Sequence, residues 1–337
     1  MSLIERYRDR LPVTAGTPVV SLGEGDTPLI PADHLSGLVG RPVWVKVEGA
    51  NPTGSFKDRG MTLAVSKAVE EGARAVACAS TGNTSAAAAA YAARAGVECI
   101  VVLPAGKVAY GKLAQAIRHG ARVVSVDGSF DDALAAVRGL AGSHEVTLVN
   151  SINAYRIAGQ QTIAWEVLDQ FGEAPAVHAL PVGNGGNITA HWMGYRDQGA
   201  APKMWGFQAA GAAPLVHGGS VESPQTIATA IRIGNPASWS GAITARDESD
   251  GLIESVTDEQ ILEAYDLLAA REGVFVEPAS AAGVAGVIAH RHRLPRGPVV
   301  ITLTGHGLKD PEVAVSGSGM GEPVEPTAEA VAEALGW

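Results

Sequence analysis

Cysteine is nearly absent: Cys78 and Cys99 are the only two in 337 residues. Both lie in apolar, strand-like runs, which points to buried reduced thiols rather than a disulfide framework or a thiolate metal site. Charge is also sparse, at 18 % of residues against 46 % hydrophobic, and that balance excludes wholesale disorder. Positive charge is the scarcer sign, with 25 Lys and Arg against 35 Asp and Glu, and no Lys/Arg run occurs. A net charge of −10 argues against a nucleic acid or a membrane surface as partner. An anionic substrate would then need a local cationic clamp. Long apolar runs are missing too: Ala86 to Leu103 is interrupted by Arg94, Gly96 and Glu98, short of the ~20 apolar residues of a membrane span. The opening Met-Ser-Leu-Ile-Glu-Arg-Tyr-Arg carries no apolar signal segment, so the expectation is a soluble cytoplasmic protein.

What is present is an alternation of strand and helix patterns. After an N-terminal arm and a turn-rich loop, residues up to Val43–Glu48 read as a hairpin-like pair. From Ala75 to Val149, short apolar runs alternate with helical stretches: strands at 76–79, 98–103, 122–126 and 146–149, helices at 84–94, 112–119 and 130–140. The pattern then repeats. Tyr155–Phe171 is a long amphipathic helix, followed by strands at 176–182 and 203–208 and a helix at 187–197. Thr257 with Gln260 predicts a capping box for a helix to Arg271. Strands at 274–277 and 298–303 flank an alanine-rich helix at 279–290, and a short helix is expected near Thr327–Leu335. Continuous apolar strands separated by helices imply parallel sheets covered on both faces. Two such blocks predict an α/β protein with two open parallel sheets and a ligand in the cleft where their carboxyl-end loops meet. The stretch 218–251 reads as a long irregular segment.

Unusual residues gather at strand-to-helix junctions. Asn51-Pro52-Thr53-Gly54-Ser55-Phe56-Lys57-Asp58-Arg59-Gly60 is turn chemistry running into a helix, which puts Lys57 at a helix start. The positive end of the macrodipole disfavours an ammonium there, so Lys57 has a reason to be partly neutral and nucleophilic. Taken alone, a solvated lysine is the commoner reading. Ser80-Thr81-Gly82-Asn83-Thr84 follows a strand and opens a helix, a place for either a carboxylate cradle or an ordinary N-cap. Gly183-Asn184-Gly185-Gly186-Asn187 follows another strand, where backbone amides could converge on a phosphate. A dinucleotide site is disfavoured, because Ile188 stands where the third glycine of the fingerprint belongs and no acidic residue lies in 203–208. A GxxxxGK(S/T) loop is absent as well. Thr304-Gly305-His306-Gly307 ends the last strand; His306 has no Ser or Cys partner at motif spacing and suggests no hydrolase triad. No His/Cys/Asp/Glu cluster has metal-ligand spacing.

A reactive lysine, a phosphate nest and a strand-end hydroxyl together describe a pyridoxal phosphate site. The motifs GEGDTPL (23–29), NPTGSFKDRG (51–60), STGNT (80–84), PAGKVAYGKLA (104–114), VNSINAYRIAGQQ (149–161), VGNGGNI (182–188), IRIGNPASW (231–239) and TGHGLKDP (304–311) carry a closer likeness. In them the chain resembles the threonine synthase family, among the pyridoxal-phosphate enzymes of the tryptophan synthase β fold, also called fold type II. The family likeness runs over nearly the whole chain and rests most on IRIGNPASW, TGHGLKDP and the asparagines of the glycine loop. Gly185 is a departure, since the family often has alanine there.

The resemblance implies a large domain of residues 1–50 with 153–337 and a small one of 51–152, a homodimer, and roles for particular residues. Lys57 would be the Schiff-base lysine, and Gly183, Asn184, Gly185, Gly186 and Asn187 would hold the cofactor phosphate. Asn83 would contact the ring hydroxyl and Thr304 the ring nitrogen, where a neutral hydroxyl leaves that nitrogen less protonated. Ser80, Thr81 and Thr84 would hold the substrate carboxylate. Asn150, Ser151 and Arg156, with Asn184 and Lys107, would grip a substrate phosphate. Arg156 suits a dianion because its fork can bind two oxygens, and the first turn of a helix is otherwise a poor place for a cation. The implied reaction turns O-phospho-L-homoserine and water into L-threonine and phosphate. In it, the Lys57 amine removes α- and β-protons, phosphate leaves the γ carbon and water adds at the β carbon. The rival readings are a serine/threonine dehydratase or cysteine synthase type on the same fold, a non-catalytic binding protein on this scaffold, and a nucleotide-dependent dehydrogenase weakened by its missing fingerprint.

Overall fold

The structure, a computed structural model, describes residues 1–80, 82–105, 110–316 and 322–337. Its strands are β1 (Leu29–Pro31), β2 (Val43–Val47), β3 (Ala75–Ala79), β4 (Glu98–Pro104), β5 (Arg122–Val126), β6 (Val146–Leu148), β7 (Val177–Pro181), β8 (Lys203–Ala209), β9 (Leu252–Val256) and β10 (Val299–Leu303). They form two sheets, one ordered β1-β2-β10-β7-β8-β9 and the other β5-β4-β3-β6. Every neighbouring pair is parallel except β1 with β2. Strands β3, β7 and β10 are buried at every residue, as expected for strands covered on both faces. At the edge, β5 is exposed along most of its length.

The helices cover these sheets with small side chains. Ala86 to Ala92 of the Asn83–Ala95 helix are buried against β3 and β4. On the larger sheet, the Pro278–Ala289 helix lies so close that a Cβ added at Gly286 would fall 2.1 Å from the Phe207 ring. The expected capping box is present: Gln260 N donates to Thr257 Oγ1 at 3.3 Å, and Thr257 N donates to Gln260 Oε1 at 2.9 Å. Among the described residues, no helix is long and apolar enough to cross a membrane.

Three expectations are corrected. The β1–β2 pair is not a hairpin, because the Asp33–Val39 helix intervenes and ends at Gly40 with φ +70°. That helix buries only Leu35 and Val39 and contains Gly37, so its periodicity is faint in the sequence. Val274–Glu277 is not a strand; Val276 makes one isolated bridge with His306 before Pro278 starts the next helix. The segment 218–251 is not wholly irregular, since it contains the Trp239–Glu248 helix, whose buried positions Ala242 and Ala245 are too small to give a strong apolar signal.

The Lys57–Glu70 and Ala154–Phe171 helices touch backbone to backbone. A Cβ at Gly159 would sit 2.2 Å from Arg59 O, and one at Gly60 would sit 2.7 Å from Arg156 O. Beside this crossing lies a fully buried charge cluster. Arg59 Nε and Nη2 donate to the two Glu48 oxygens at 2.7 and 2.8 Å, while Nη1 donates to Glu166 Oε2 at 2.7 Å. Lys46 Nζ donates to Glu166 Oε1 at 2.5 Å and to Thr27 O at 2.7 Å. Two cations and two carboxylates cancel. Burial pushes both carboxyls up, but Arg59 and Lys46 together hold them below the ordinary range. Removing one partner would leave a buried, unpaired charge. Arg59→Ala should therefore lower the unfolding free energy by roughly 3–5 kcal/mol in denaturant titration. A loss under about 1 kcal/mol would show that the carboxylates re-pair without it.

Candidate active site

The loop before Lys57 is laced to the carboxyl end of β10. Phe56 N donates to Thr304 O at 3.0 Å, His306 N donates to Gly54 O at 2.9 Å, and Ser55 bridges Gly305. Gly54 permits this turn with φ +84°. Asp58 accepts from Thr53 N at 2.7 Å, and Lys309 Nζ donates to Thr53 O at 2.8 Å, so the loop is held from both sides. Lys57 is the first residue of its helix, with Nζ 3.9 Å from the centroid of the Phe56 ring. Burial, then the Arg156 guanidinium, lower its pKa to about 7, while Glu277 acts in the opposite direction. An amine so poised can take and return protons at neutral pH.

The glycine loop opens the Gly186–Asp197 helix at the end of β7. Gly185 has φ +79°, and a Cβ there would lie 2.8 Å from Ser238 O, so alanine would be strained at this position. Asn184 ties the loop to the 231–239 stretch: its Oδ1 accepts from Ala237 N at 3.2 Å and its O from Ser238 N at 2.9 Å. Asn187 Oδ1 and Nδ2 are buried with no hydrogen-bond partner among the described residues. Unmated polar atoms beside the amides of a helix start suit an anionic group.

Beneath this helix runs a buried chain of neutral groups. His191 Nδ1 lies 2.7 Å from Asn187 O and must donate to it, which makes Nε2 the acceptor of the Thr302 hydroxyl at 3.2 Å. Thr302 Oγ1 then accepts from His178 Nε2 at 2.7 Å, and His178 Nδ1 accepts from the Tyr195 hydroxyl at 2.7 Å. Every donor finds an acceptor only while both imidazoles stay neutral. Burial accordingly lowers His191 to about 4 and His178 well below its ordinary value.

The remaining candidates divide by what their side chains already do. Arg156 is placed by Asn153, whose Oδ1 caps the Ala154–Phe171 helix by accepting from Tyr155 N at 2.9 Å and Arg156 N at 3.3 Å. Its Nη1 donates to Val149 O at 3.2 Å, while Nε and Nη2 are buried without a partner among the described residues. Burial lowers its pKa to about 10, so it keeps its charge at neutral pH. Asn150 is largely committed: its amide exchanges two 3.0 Å hydrogen bonds with the backbone of Ala79, leaving one N–H for a ligand. Ser80, Thr84 and Ser151 are half-buried, and Ser80 Oγ accepts from Gly82 N at 3.2 Å. Asn83 Nδ2 donates to both oxygens of Glu277. Thr304 is buried, with Oγ1 3.0 Å from Ser280 Oγ; either hydroxyl can be the donor. Thr81 and Lys107 lie outside the described residues.

The sequence reading missed Glu277, Ser280 and Asn153. Glu277-Pro278-Ala279-Ser280 carried a usable signal, an acidic residue and a hydroxyl in the first turn of an otherwise all-apolar helix. Asn153 had one too, as an N-cap residue three positions before Arg156. The donor set as a whole fits a cofactor with a phosphate and a ring: helix-start amides with the unmated Asn187, a lysine near neutrality, and hydroxyl and amide contacts at Thr304 and Asn83.

Comparisons with known proteins agree. The family described as "Pyridoxal-phosphate dependent enzyme" matches residues 20–305. The chain is 56 % identical to a threonine synthase of Synechocystis sp., covering 99 % of this chain and 91 % of that protein. It is 55 % identical to a threonine synthase of Mycobacterium leprae, covering 99 % and 96 %. Among solved structures, a threonine deaminase from T.th. matches with a TM-score of 0.73 and 29 % identity over 83 % of this chain and 92 % of that one. Maize serine racemase matches in fold, with a TM-score of 0.76 and 23 % identity over 86 % and 91 %.

The neutral histidine chain makes a prediction about acid. Both imidazoles have native pKa values below the unfolded value near 6.5, so the unfolded state binds more protons between about pH 6.5 and 4. Stability should be complete above that window and fall as pH drops through it, by on the order of 3 kcal/mol for His191 over the full range, with His178 acting in the same direction. His191→Gln should make the fall shallower in denaturant titrations at a series of pH values; an unchanged slope would assign the acid sensitivity to other groups.

Proposed function

The chain belongs to the family of pyridoxal-phosphate dependent enzymes, and we propose that within it the chain works as a threonine synthase, turning O-phospho-L-homoserine and water into L-threonine and phosphate. One observation carries the substrate assignment: Arg156 presents two buried guanidinium nitrogens with no protein partner among the described residues, and its charge is felt at Lys57. A buried cation with vacant donors is costly unless an anion completes it. A phosphorylated amino acid supplies that anion at the far end from its reacting amine.

The residues that would hold the cofactor are Lys57, Asn83, Thr304 and the loop from Gly183 to Asn187. When bound, pyridoxal phosphate supplies an electrophilic carbonyl and an electron-withdrawing ring that lets carbon–hydrogen bonds of the amino acid ionise. Lys57, whose pKa is about 7, would take the proton of the α carbon and give it up again before taking one from the β carbon, and after phosphate leaves the γ carbon it would return protons to the substrate carbons while water adds at the β carbon. Arg156, with Ser151, Asn184 and the remaining N–H of Asn150, holds the phosphate before and after the bond breaks. Ser80 and Thr84 orient the carboxylate, with Thr81 and Lys107 completing the two anion sites. We assign the large lobe to residues 1–50 with 153–337 and the small lobe to 51–152, supported by the way β1 and β2 join β7 to β10 while β3 to β6 form their own sheet. The reading includes a cytoplasmic homodimer.

Purified holoenzyme should release phosphate and form threonine from O-phospho-L-homoserine, and Lys57→Ala should abolish both. Arg156→Ala should lower kcat/KM roughly 30-fold or more, the cost of truncating a buried charged pair. Equal kcat/KM in that variant would remove the substrate-phosphate site. Ammonia and a 2-oxo acid from threonine or serine, without threonine from the phosphorylated substrate, would point to a dehydratase.

A further inference from the structure

We propose that Glu277 is a positioning residue: its carboxylate fixes the orientation of the Asn83 amide, while its own backbone N–H anchors it to the Gly305 strand end beside Thr304, so the amide offered to the cofactor ring is held in register with that strand end. This rests on the pyridoxal phosphate reading above. Glu277 is the N-cap of the Pro278–Ala289 helix, yet its side chain makes no capping bond. It reaches instead to the start of the Asn83–Ala95 helix, where Asn83 Nδ2 lies 3.1 Å from Oε1 and 3.0 Å from Oε2. On its other side, Glu277 N donates to Gly305 O at 3.0 Å, and Ser280, one turn along, bonds Thr304 Oγ1 and Gly305. A Cβ at Gly305 would fall 2.5 Å from Glu277 Oε1, so the carboxylate occupies space that only glycine leaves open. The contact therefore links the helix following β3 to the end of β10, across the two sheets.

Glu277 is 2 % exposed, and its only hydrogen-bond donor among the described residues is that amide. An amide is a weak partner for a buried carboxylate, which ordinarily takes a guanidinium or several N–H groups. Its value here is orientation. An ionised carboxylate only accepts, so it draws Nδ2 toward itself and leaves the second N–H and Oδ1 of Asn83 for other partners; a neutral carboxyl or amide could instead donate to Oδ1, so either end of the Asn83 amide could face it. The carboxylate also acts on charge. Burial pushes Glu277 up and Asp310 adds to that, while the Asn83 bond, Lys309 and Lys57 pull it down. In return it supports the protonated form of Lys57 against burial and Arg156.

Two readouts other than turnover test this. In equilibrium dialysis of apoenzyme, Glu277→Ala should weaken pyridoxal phosphate binding about tenfold when Asn83 is present. The same change on an Asn83→Ala background should cost less than about twofold, because the two act as one unit. Full additivity would overturn the inference. In the holoenzyme, Glu277→Gln should shift the pH midpoint of the visible absorption band down by roughly one unit, since removing an anion disfavours the cationic form of the lysine nitrogen. Glu277→Asp, which keeps the anion, should hold the midpoint near its original value. This second arm survives a failure of Glu277→Ala to fold, and an unchanged midpoint overturns the inference. Absence of any visible band in unaltered protein reconstituted with cofactor would instead strike the pyridoxal phosphate reading itself.

Discussion

The buried pairing of Arg59 with Glu48 and Glu166 is the constraint from which the site is built. Arg59 lies two residues after Lys57 on the same helix, and its partners come from the end of β2 and from the Ala154–Phe171 helix. The helix that begins with Lys57, the carboxyl end of an inner strand of the large sheet and the helix carrying Arg156 are thus tied to one point. Lys46 balances the second carboxylate, so the knot is neutral. Its contribution to stability need not exceed that of a packed apolar cluster of the same volume. Its contribution to geometry is specific, because a bidentate guanidinium tolerates little rotation.

Around that knot, the Lys57 loop and the turn before Arg156 are held mainly through backbone groups. Hydrogen bonds from Phe56 to Thr304 and from His306 to Gly54 hold the Lys57 loop to β10, while Asn153 sets the helix turn that presents Arg156. The neutral histidine chain supports the first turn of the glycine-loop helix from below through the Asn187 carbonyl. The unpartnered donors of Arg156 and Asn187, among the described residues, lie on these held elements. Such preorganisation lets electrostatic groups act without rearrangement during reaction.

Much of this was legible in the sequence. Unbroken apolar strands between helices predict two covered parallel sheets, and turn residues at strand ends mark Lys57, the glycine loop and Thr304. Those signals are local, a few residues each. What escaped was nonlocal. Glu277 contacts Asn83 across 194 positions, and nothing in either neighbourhood names the other. The Arg59 cluster escaped for the same reason, since each member alone reads as an ordinary charge. The Asp33–Val39 and Trp239–Glu248 helices escaped because glycine and alanine blur apolar periodicity. The Val274–Glu277 run looked like a strand because apolar residues before a proline resemble one.

The glycine crossing has a dimensional consequence. Lys57 precedes Gly60 by three residues and Arg156 precedes Gly159 by three, so each functional residue begins ~4.5 Å upstream of its contact along its own helix. With main chains in direct contact at both glycines, the separation of amine and guanidinium anchors is a ruler cut in backbone. Side-chain rearrangement elsewhere in the core cannot reset it. Under the proposed roles of Lys57 and Arg156, a substrate would be gauged by length, from the carbon that loses its proton to the oxygen that leaves with phosphorus.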